Sequence, residues 1–225
     1  MSKGLLIMLE GTDGSGKSLQ TDLLVEHFKK EGKDVEQISF PQYGDPSASL
    51  VEEYLNGKFG SAEEVGPYKA SILYAVDRFA AAPQIKAWID EGKIVIANRY
   101  VASNMGHQGG KIKDAEERKK YFEWNYNLEY TILGIPKPDV NIILHVTPEI
   151  SQKLVDKKEA RDYLKGKKRD IHEDDLNHLA DAESSYLGIA KLYPEFQVIE
   201  CVENDDILPP DVIHEKVWSQ IKTHL

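Results

Sequence analysis

Apolar and polar positions alternate along this chain in two rhythms, one of short apolar runs and one of helical spacing. Leu5-Leu6-Ile7-Met8-Leu9 is a near-continuous apolar run, as in a parallel strand covered on both faces. Leu19, Leu23, Leu24 and Phe28 then fall at helical spacing and predict a helix to Lys30, ended by Glu31-Gly32. Val35 to Phe40 predicts a second strand, closed by Pro41. The polar, glycine-punctuated stretch from Gly44 to Gly66 holds one short amphipathic helix, Ser47 to Leu55. A long helix is predicted from about Tyr68 to Glu91, with Ile72, Leu73, Val76, Phe79, Ala80, Ile85, Trp88 and Ile89 as its apolar residues. Pro83 is expected to kink or split it, because proline lacks the N–H and crowds the preceding turn.

Lys93 to Ala97 predicts a third strand, ending at Asn98-Arg99-Tyr100. A charged amphipathic helix follows from about Asp114 to Leu133, with Tyr121, Phe122, Leu128 and Ile132 as expected core contacts. Val140 to Val146 is a further buried strand, and Pro148 opens the next helix in its first turn. Helix is predicted again from Glu173 to about Leu192, strand near Phe196, and a last helix after Pro209-Pro210. Strands alternating with helices predict an α/β fold, a parallel sheet with helices on both faces. No repeat or linker divides the chain, so residues 1–225 are read as a single domain.

The charge balance narrows the partners. With 28 Lys and Arg against 38 Asp and Glu the formal net charge is -10, which argues against sequence-independent nucleic-acid binding. The one cysteine, Cys201, permits no internal disulfide and reads as a packed strand residue. No apolar run approaches the roughly 20 residues of a membrane span, and the first strand begins too early to leave room for a signal peptide. A soluble, cytoplasmic protein is expected.

Chemistry enters between the first strand and the first helix. Gly11-Thr12-Asp13-Gly14-Ser15-Gly16-Lys17-Ser18 is G-x-x-x-x-G-K-[ST] in the strand–loop–helix setting that this phosphate-binding motif requires. Its glycines let successive N–H groups point inward, and the helix presents its positive end to the same anion. Lys17 is expected to reach the β- and γ-phosphates of ATP, and the Ser18 hydroxyl to bind magnesium. In such folds ligands bind at the carboxyl ends of the strands. That edge collects Glu10-Gly11, Phe40-Pro41-Gln42-Tyr43 and Asn98-Arg99-Tyr100, and Asp77-Arg78 of the long helix joins them as candidates for an acceptor pocket. Arginine suits phosphate because its planar fork binds oxygens bidentately. Tyr74, one turn before Arg78, is placed either to stack on a base or to pack in the core.

Together these pieces resemble the thymidylate kinases, a family of P-loop nucleoside monophosphate kinases. The resemblance is carried by Leu9 to Ser18, Phe40-Pro41, Leu73 to Arg78, Arg99 to Asn104, Gln108-Gly109-Gly110 and Leu133 to Asp139, and it extends to Tyr186. It implies a three-layer P-loop NTPase fold with a five-stranded parallel sheet and a basic lid, transferring the γ-phosphoryl group of ATP to dTMP. By resemblance Asp13 sits near the acceptor sugar and the metal, Tyr74 stacks on thymine and Arg78 hydrogen-bonds the base. Arg99 lies between the phosphates; Ser103, Asn104 and Gln108 line the base pocket, and Phe40, Pro41, Tyr43 and Leu55 hold the nucleotide. Members are usually homodimers packed through helices.

The phosphate loop carries no basic residue before Lys17, so the missing charge is expected from a lid over about 157–171, as in the bacterial members. Arg161 with Lys168 or Arg169 is expected to close over the transferring phosphate there. Three positions depart from the family pattern. Asn98 replaces the usual Asp, keeping an oxygen for magnesium without its charge, with Asp13 or Glu10 left to carry more of it. Gln42 stands where many members carry a basic residue, and His172 falls near a position often held by a tyrosine that helps exclude ribonucleotides. The reading is therefore a dTMP kinase, with a related kinase of other acceptor specificity, or a weakly active nucleotide-binding regulator, as alternatives.

Overall fold

The computed structural model describes residues 3–156 and 176–225. The expected lid with Arg161, Gly166, Lys168, Arg169 and His172, and the helix start expected at Glu173, lie outside these residues. Strands β1 (Leu5–Glu10), β2 (Val35–Ser39), β3 (Ile94–Asn98), β4 (Val140–His145) and β5 (Phe196–Glu200) form one sheet in the order β2-β3-β1-β4-β5. All four neighbouring pairs are parallel, with Ile7 opposite Ile96 on one side and Val140 on the other. The helices are α1 (Lys17–Lys30), α2 (Ser49–Leu55), α3 (Ala62–Asp90), α4 (Val101–Ser103), α5 (Ala115–Tyr126), α6 (Pro148–Asp156), α7 (Leu176–Leu192) and α8 (Pro210–Ile221).

Side chains leave a strand to alternate faces, so β1 supplies two layers at once. Ile7 and Leu9 pack with Leu24 and Phe28 of α1 and with Ile213, Val217 and Ile221 of α8. Leu6 and Met8 pack with Ala81, Ala82, Ile85 and Ile89 of α3. Covering both faces explains why β1 reads as an unbroken apolar run. Cys201, just past β5, is fully buried, and burial pushes its thiol pKa up to about 12, which keeps it protonated.

Several expectations need correction. The long helix breaks at Gly66 (φ 74, ψ 166), not at Pro83, where the backbone stays helical. Gly66 precedes Pro67, and a residue before proline is pushed out of the helical region. Ser61 then caps the first turn through a reciprocal pair with Glu64. Of the apolar residues of this helix, Ile72, Val76 and Phe79 are 45%, 43% and 50% exposed, and Ala80 is exposed as well. Leu19 and Ile132 also face outward. The helix begun at Ala115 passes into a wide π-type turn over Asn127–Ile132, which places Glu129 inside. A small hairpin, β6 (Val202–Glu203) and β7 (Asp206–Ile207), went unforeseen. Its turn residues Asn204 and Asp205 have φ 51 and 61, the left-handed pair that tight hairpins use.

Candidate active site

The phosphate loop leaves β1 at Gly11 and enters α1 at Lys17. A Cβ on Gly11 would lie 2.4 Å from the Leu144 carbonyl oxygen, and one on Gly14 would lie 2.5 Å from that of Ser151. Both positions also have positive φ, so neither tolerates a side chain. Lys17 Nζ donates to the Gly11 and Thr12 carbonyls at 3.0 and 2.7 Å, folding over the loop. From α6, the Ser151 hydroxyl donates to the Asp13 carbonyl and lies 3.0 Å from the Thr12 hydroxyl. This buttress was not anticipated; nothing in its local sequence distinguishes Ser151 from any helix serine.

Glu10, at the end of β1, is fully buried and accepts four hydrogen bonds. They come from the Tyr100 and Ser103 amides at 2.6 and 2.9 Å, the Ser103 hydroxyl at 2.6 Å and the Tyr186 hydroxyl at 3.0 Å. Burial raises its pKa, with Ser103 and Arg99 pulling the other way. A carboxylate so occupied organises the strand ends.

Arg99 follows β3 with φ 65, a left-handed conformation uncommon for a non-glycine residue and one that clusters at functional sites. Its guanidinium pairs with the Asp13 carboxylate, and Nη1 lies 2.8 Å from Nε2 of His107 and 3.4 Å from the Ser103 hydroxyl. Burial pulls the Arg99 pKa down, but Asp13, Tyr186 and Glu10 outweigh it and the net shift is upward. Beside it, the Asn98 amide donates to the Ser18 hydroxyl at 3.2 Å. The Asn98 Oδ1 atom is buried and has no hydrogen-bond partner among the described residues.

Arg78 is buried, with Nε and Nη2 bonded to the two carboxylate oxygens of Glu129 at 2.5 and 2.7 Å. Asn104 Nδ2 donates to the same carboxylate at 2.9 Å. Burial opposes the Arg78 charge, and Glu129 more than restores it, so its pKa is raised. Asp77 points elsewhere. Its carboxylate takes the Gln42 amide N–H at 2.9 Å, the Gln42 side chain at 3.0 Å and the Ser47 hydroxyl at 2.6 Å, pinning the loop after β2 to α3. Gln42 is thereby directed to Asp77 and does not line the cavity. Tyr74 meets Tyr54 edge-on, ring centres 6.2 Å apart, and Gln108 accepts from Lys111 Nζ at 2.7 Å.

These groups share one cavity of about 1180 Å³. Asp13, Gly14, Gly16, Lys17 and Ser18 line it, while Gly11, Thr12 and Ser15 do not. Phe40, Pro41, Tyr43, Leu55, Tyr74, Arg78, Ser103, Asn104 and Gln108 also line it, with Asn98 and Arg99. Sequence reasoning missed Glu52, His107 and Glu129. Glu52 and His107 line the cavity, and Glu129 lies behind it. His107 could have been suspected from its place between Asn104 and Gln108. Glu129 carried no signal, since a glutamate on a charged amphipathic helix reads as solvated. The chain's donor set also bears on magnesium. No cluster of three or more His, Cys, Asp or Glu that could hold a metal occurs among the described residues. The Ser18 hydroxyl, the unpartnered Asn98 oxygen and the nearby Asp13 carboxylate offer hard oxygen donors of the kind that supplement phosphate and water around that ion.

Known proteins resemble this chain in sequence and in fold. A family model described as thymidylate kinase matches residues 9–200. The thymidylate kinase of Mycobacterium tuberculosis is 32% identical over 172 residues, covering 76% of this chain and 78% of that one. A probable thymidylate kinase of Thermococcus kodakarensis is 26% identical over 98% of both chains. Among solved structures, the thymidylate kinase of Candida albicans superposes with a TM-score of 0.74 at 22% identity. It covers 100% of this chain and 94% of that one, which is a likeness of fold.

Proposed function

The chain belongs to the thymidylate kinase family, and from that membership we propose how its cavity moves the γ-phosphoryl group of ATP onto dTMP. Phosphoryl transfer asks for positioning and charge neutralisation more than covalent chemistry. The loop amides and Lys17 hold the donor phosphates against the positive end of α1. Tyr74 and Arg78 take the pyrimidine of dTMP, with Asn104 beside them. Arg99 stands between the two ends, so its charge meets both phosphates as negative charge shifts during transfer. Asp13 fixes Arg99 and faces the acceptor sugar. Arg161 and Arg169 are assigned to complete the neutralisation. The observation that carries this reading is the single cavity shared by Lys17, Arg78 and Arg99.

Ser18, Asn98 and Asp13 are the groups assigned to magnesium. Bound there, the ion would neutralise phosphate charge and orient the donor. Asn98 and Ser18 are already in contact, and the Asn98 amide would turn to bring its oxygen to the ion.

The test is a coupled ADP-release assay with ATP and, in turn, dTMP, dUMP, dCMP, dGMP and thymidine. Strong stimulation by dTMP above the others is expected; none by dTMP rejects the proposal. We also assign a homodimer joined through α3. Tyr68, Ile72, Val76 and Phe79, spaced 4, 4 and 3 residues apart on one face, are each at least 41% exposed. No helix among the described residues is long and apolar enough to cross a membrane. With its one cysteine reduced and buried, the enzyme is assigned to the cytoplasm.

A further inference from the structure

We propose that His107 is a positioning residue for the reaction, a neutral acceptor that holds the Arg99 guanidinium in its working orientation. This rests on the kinase reading above and adds to it a residue to which sequence reasoning assigned no role.

Arginine carries donors only, so the 2.8 Å contact between Arg99 Nη1 and His107 Nε2 requires a lone pair on that nitrogen. The imidazole must then carry its proton on Nδ1. That nitrogen lies 3.5 Å from Nε2 of His178 on α7, and the two rings lie 5.7 Å apart, inclined by 25°. Tyr186, also on α7, meets the His107 ring edge-on at 5.8 Å. Burial first, and the Arg99 charge second, hold the His107 pKa well below the ordinary imidazole value, so the acceptor form is the one present at neutral pH.

The arrangement is asymmetric in a telling way. One nitrogen of Arg99, Nη2, is held by the Asp13 carboxylate and the other, Nη1, by His107 with a longer contact to Ser103. Asp13 sits on the phosphate loop and His107 beyond α4, so the guanidinium is fixed from two separate segments. Without His107, Nη1 keeps only its longer contact to Ser103, and the guanidinium is free to pivot about Asp13. His107 removes the pivot, and α7 fixes the His107 ring in turn.

The test compares His107→Gln, whose amide oxygen can accept from Arg99, with His107→Phe, which fills the space and cannot accept. His107→Phe should lower kcat roughly 10- to 100-fold, the scale of one hydrogen bond to a charged group. The KM for ATP should change little, because Lys17 and the loop amides are untouched. His107→Gln should recover most of the loss. His178→Phe, one step removed, should produce a smaller fall in kcat of the same kind. Equal activity in His107→Phe and the wild type overturns the proposal, as does an equal loss in His107→Gln and His107→Phe. Wild-type turnover on dTMP is measured first, since its absence counts against the kinase reading and not against His107. In that event crystal structures decide: Arg99 unmoved in His107→Phe overturns the proposal, and Arg99 turned from Asp13 upholds it. Were His107→Phe not to fold, His107→Ala takes its place in both measurements.

Discussion

Arg78 and Glu129 form a two-pronged ion pair, Nε and Nη2 on the two carboxylate oxygens, with both side chains sealed from solvent. The arginine expected to read the base is thus held by a partner 51 positions further along the chain. Removing the carboxylate leaves a buried cation alone, which costs about 3–5 kcal/mol. In a protein of this size each kcal/mol corresponds to about 2–4 °C. Glu129→Ala should therefore lower the melting temperature by roughly 6–20 °C and raise the KM for dTMP more than that for ATP. A melting temperature within about 2 °C of wild type would contradict the pairing.

The buried, unpartnered oxygen of Asn98 marks the second prediction. Asn98→Asp adds a carboxylate beside the Ser18 hydroxyl, and magnesium favours carboxylate over amide oxygen. The magnesium concentration that gives half-maximal rate should fall by roughly tenfold. Titration of the ion at saturating ATP and dTMP measures it; an unchanged midpoint would remove Asn98 from the metal site.

His145, at the end of β4, sits between Glu183 at 2.7 Å and Glu200 at 2.6 Å. Burial lowers its pKa, but the two carboxylates more than reverse that, so the folded value lies above the unfolded one. A raised imidazole pKa stabilises the fold fully below the unfolded value, about 6.5, and that contribution disappears as pH rises through the folded value. Urea midpoints should drop as pH climbs above 6.5, and His145→Gln should flatten that segment of the curve. An identical slope in the variant would exclude His145 as its source.

The exposed apolar face of α3 supplies a fourth. Phe79→Glu together with Ile72→Glu should turn a sedimenting dimer into a monomer while the far-ultraviolet spectrum stays unchanged. Wild-type protein that sediments as a monomer at micromolar concentration would dispose of the α3 interface.

Much of the fold was legible in the order of residues alone. The unbroken run Leu5 to Leu9 announced a strand covered on both faces, and the glycines and Lys17 behind it marked the phosphate loop and the start of α1. The parts that stayed hidden have definite physical causes. The outward side of α3 is apolar as well as the inward one, so periodicity alone did not tell that Ile72, Val76 and Phe79 face out. Pro83 was expected to kink or split α3, yet a proline on an exposed helix position leaves the backbone helical here. Glu129 and Ser151 matter only through partners distant in sequence, and neither composition nor spacing can disclose such a partner.

Glu10 gathers its donors from residues 90, 93 and 176 places downstream. On the ribosome, then, the first strand emerges with its carboxylate still hydrated, and the last donor, Tyr186, arrives 176 residues later. A nascent chain arrested before α7 clears the exit tunnel holds an unfinished centre. The closing of this enzyme's middle therefore waits on a residue 176 places downstream of the carboxylate it satisfies.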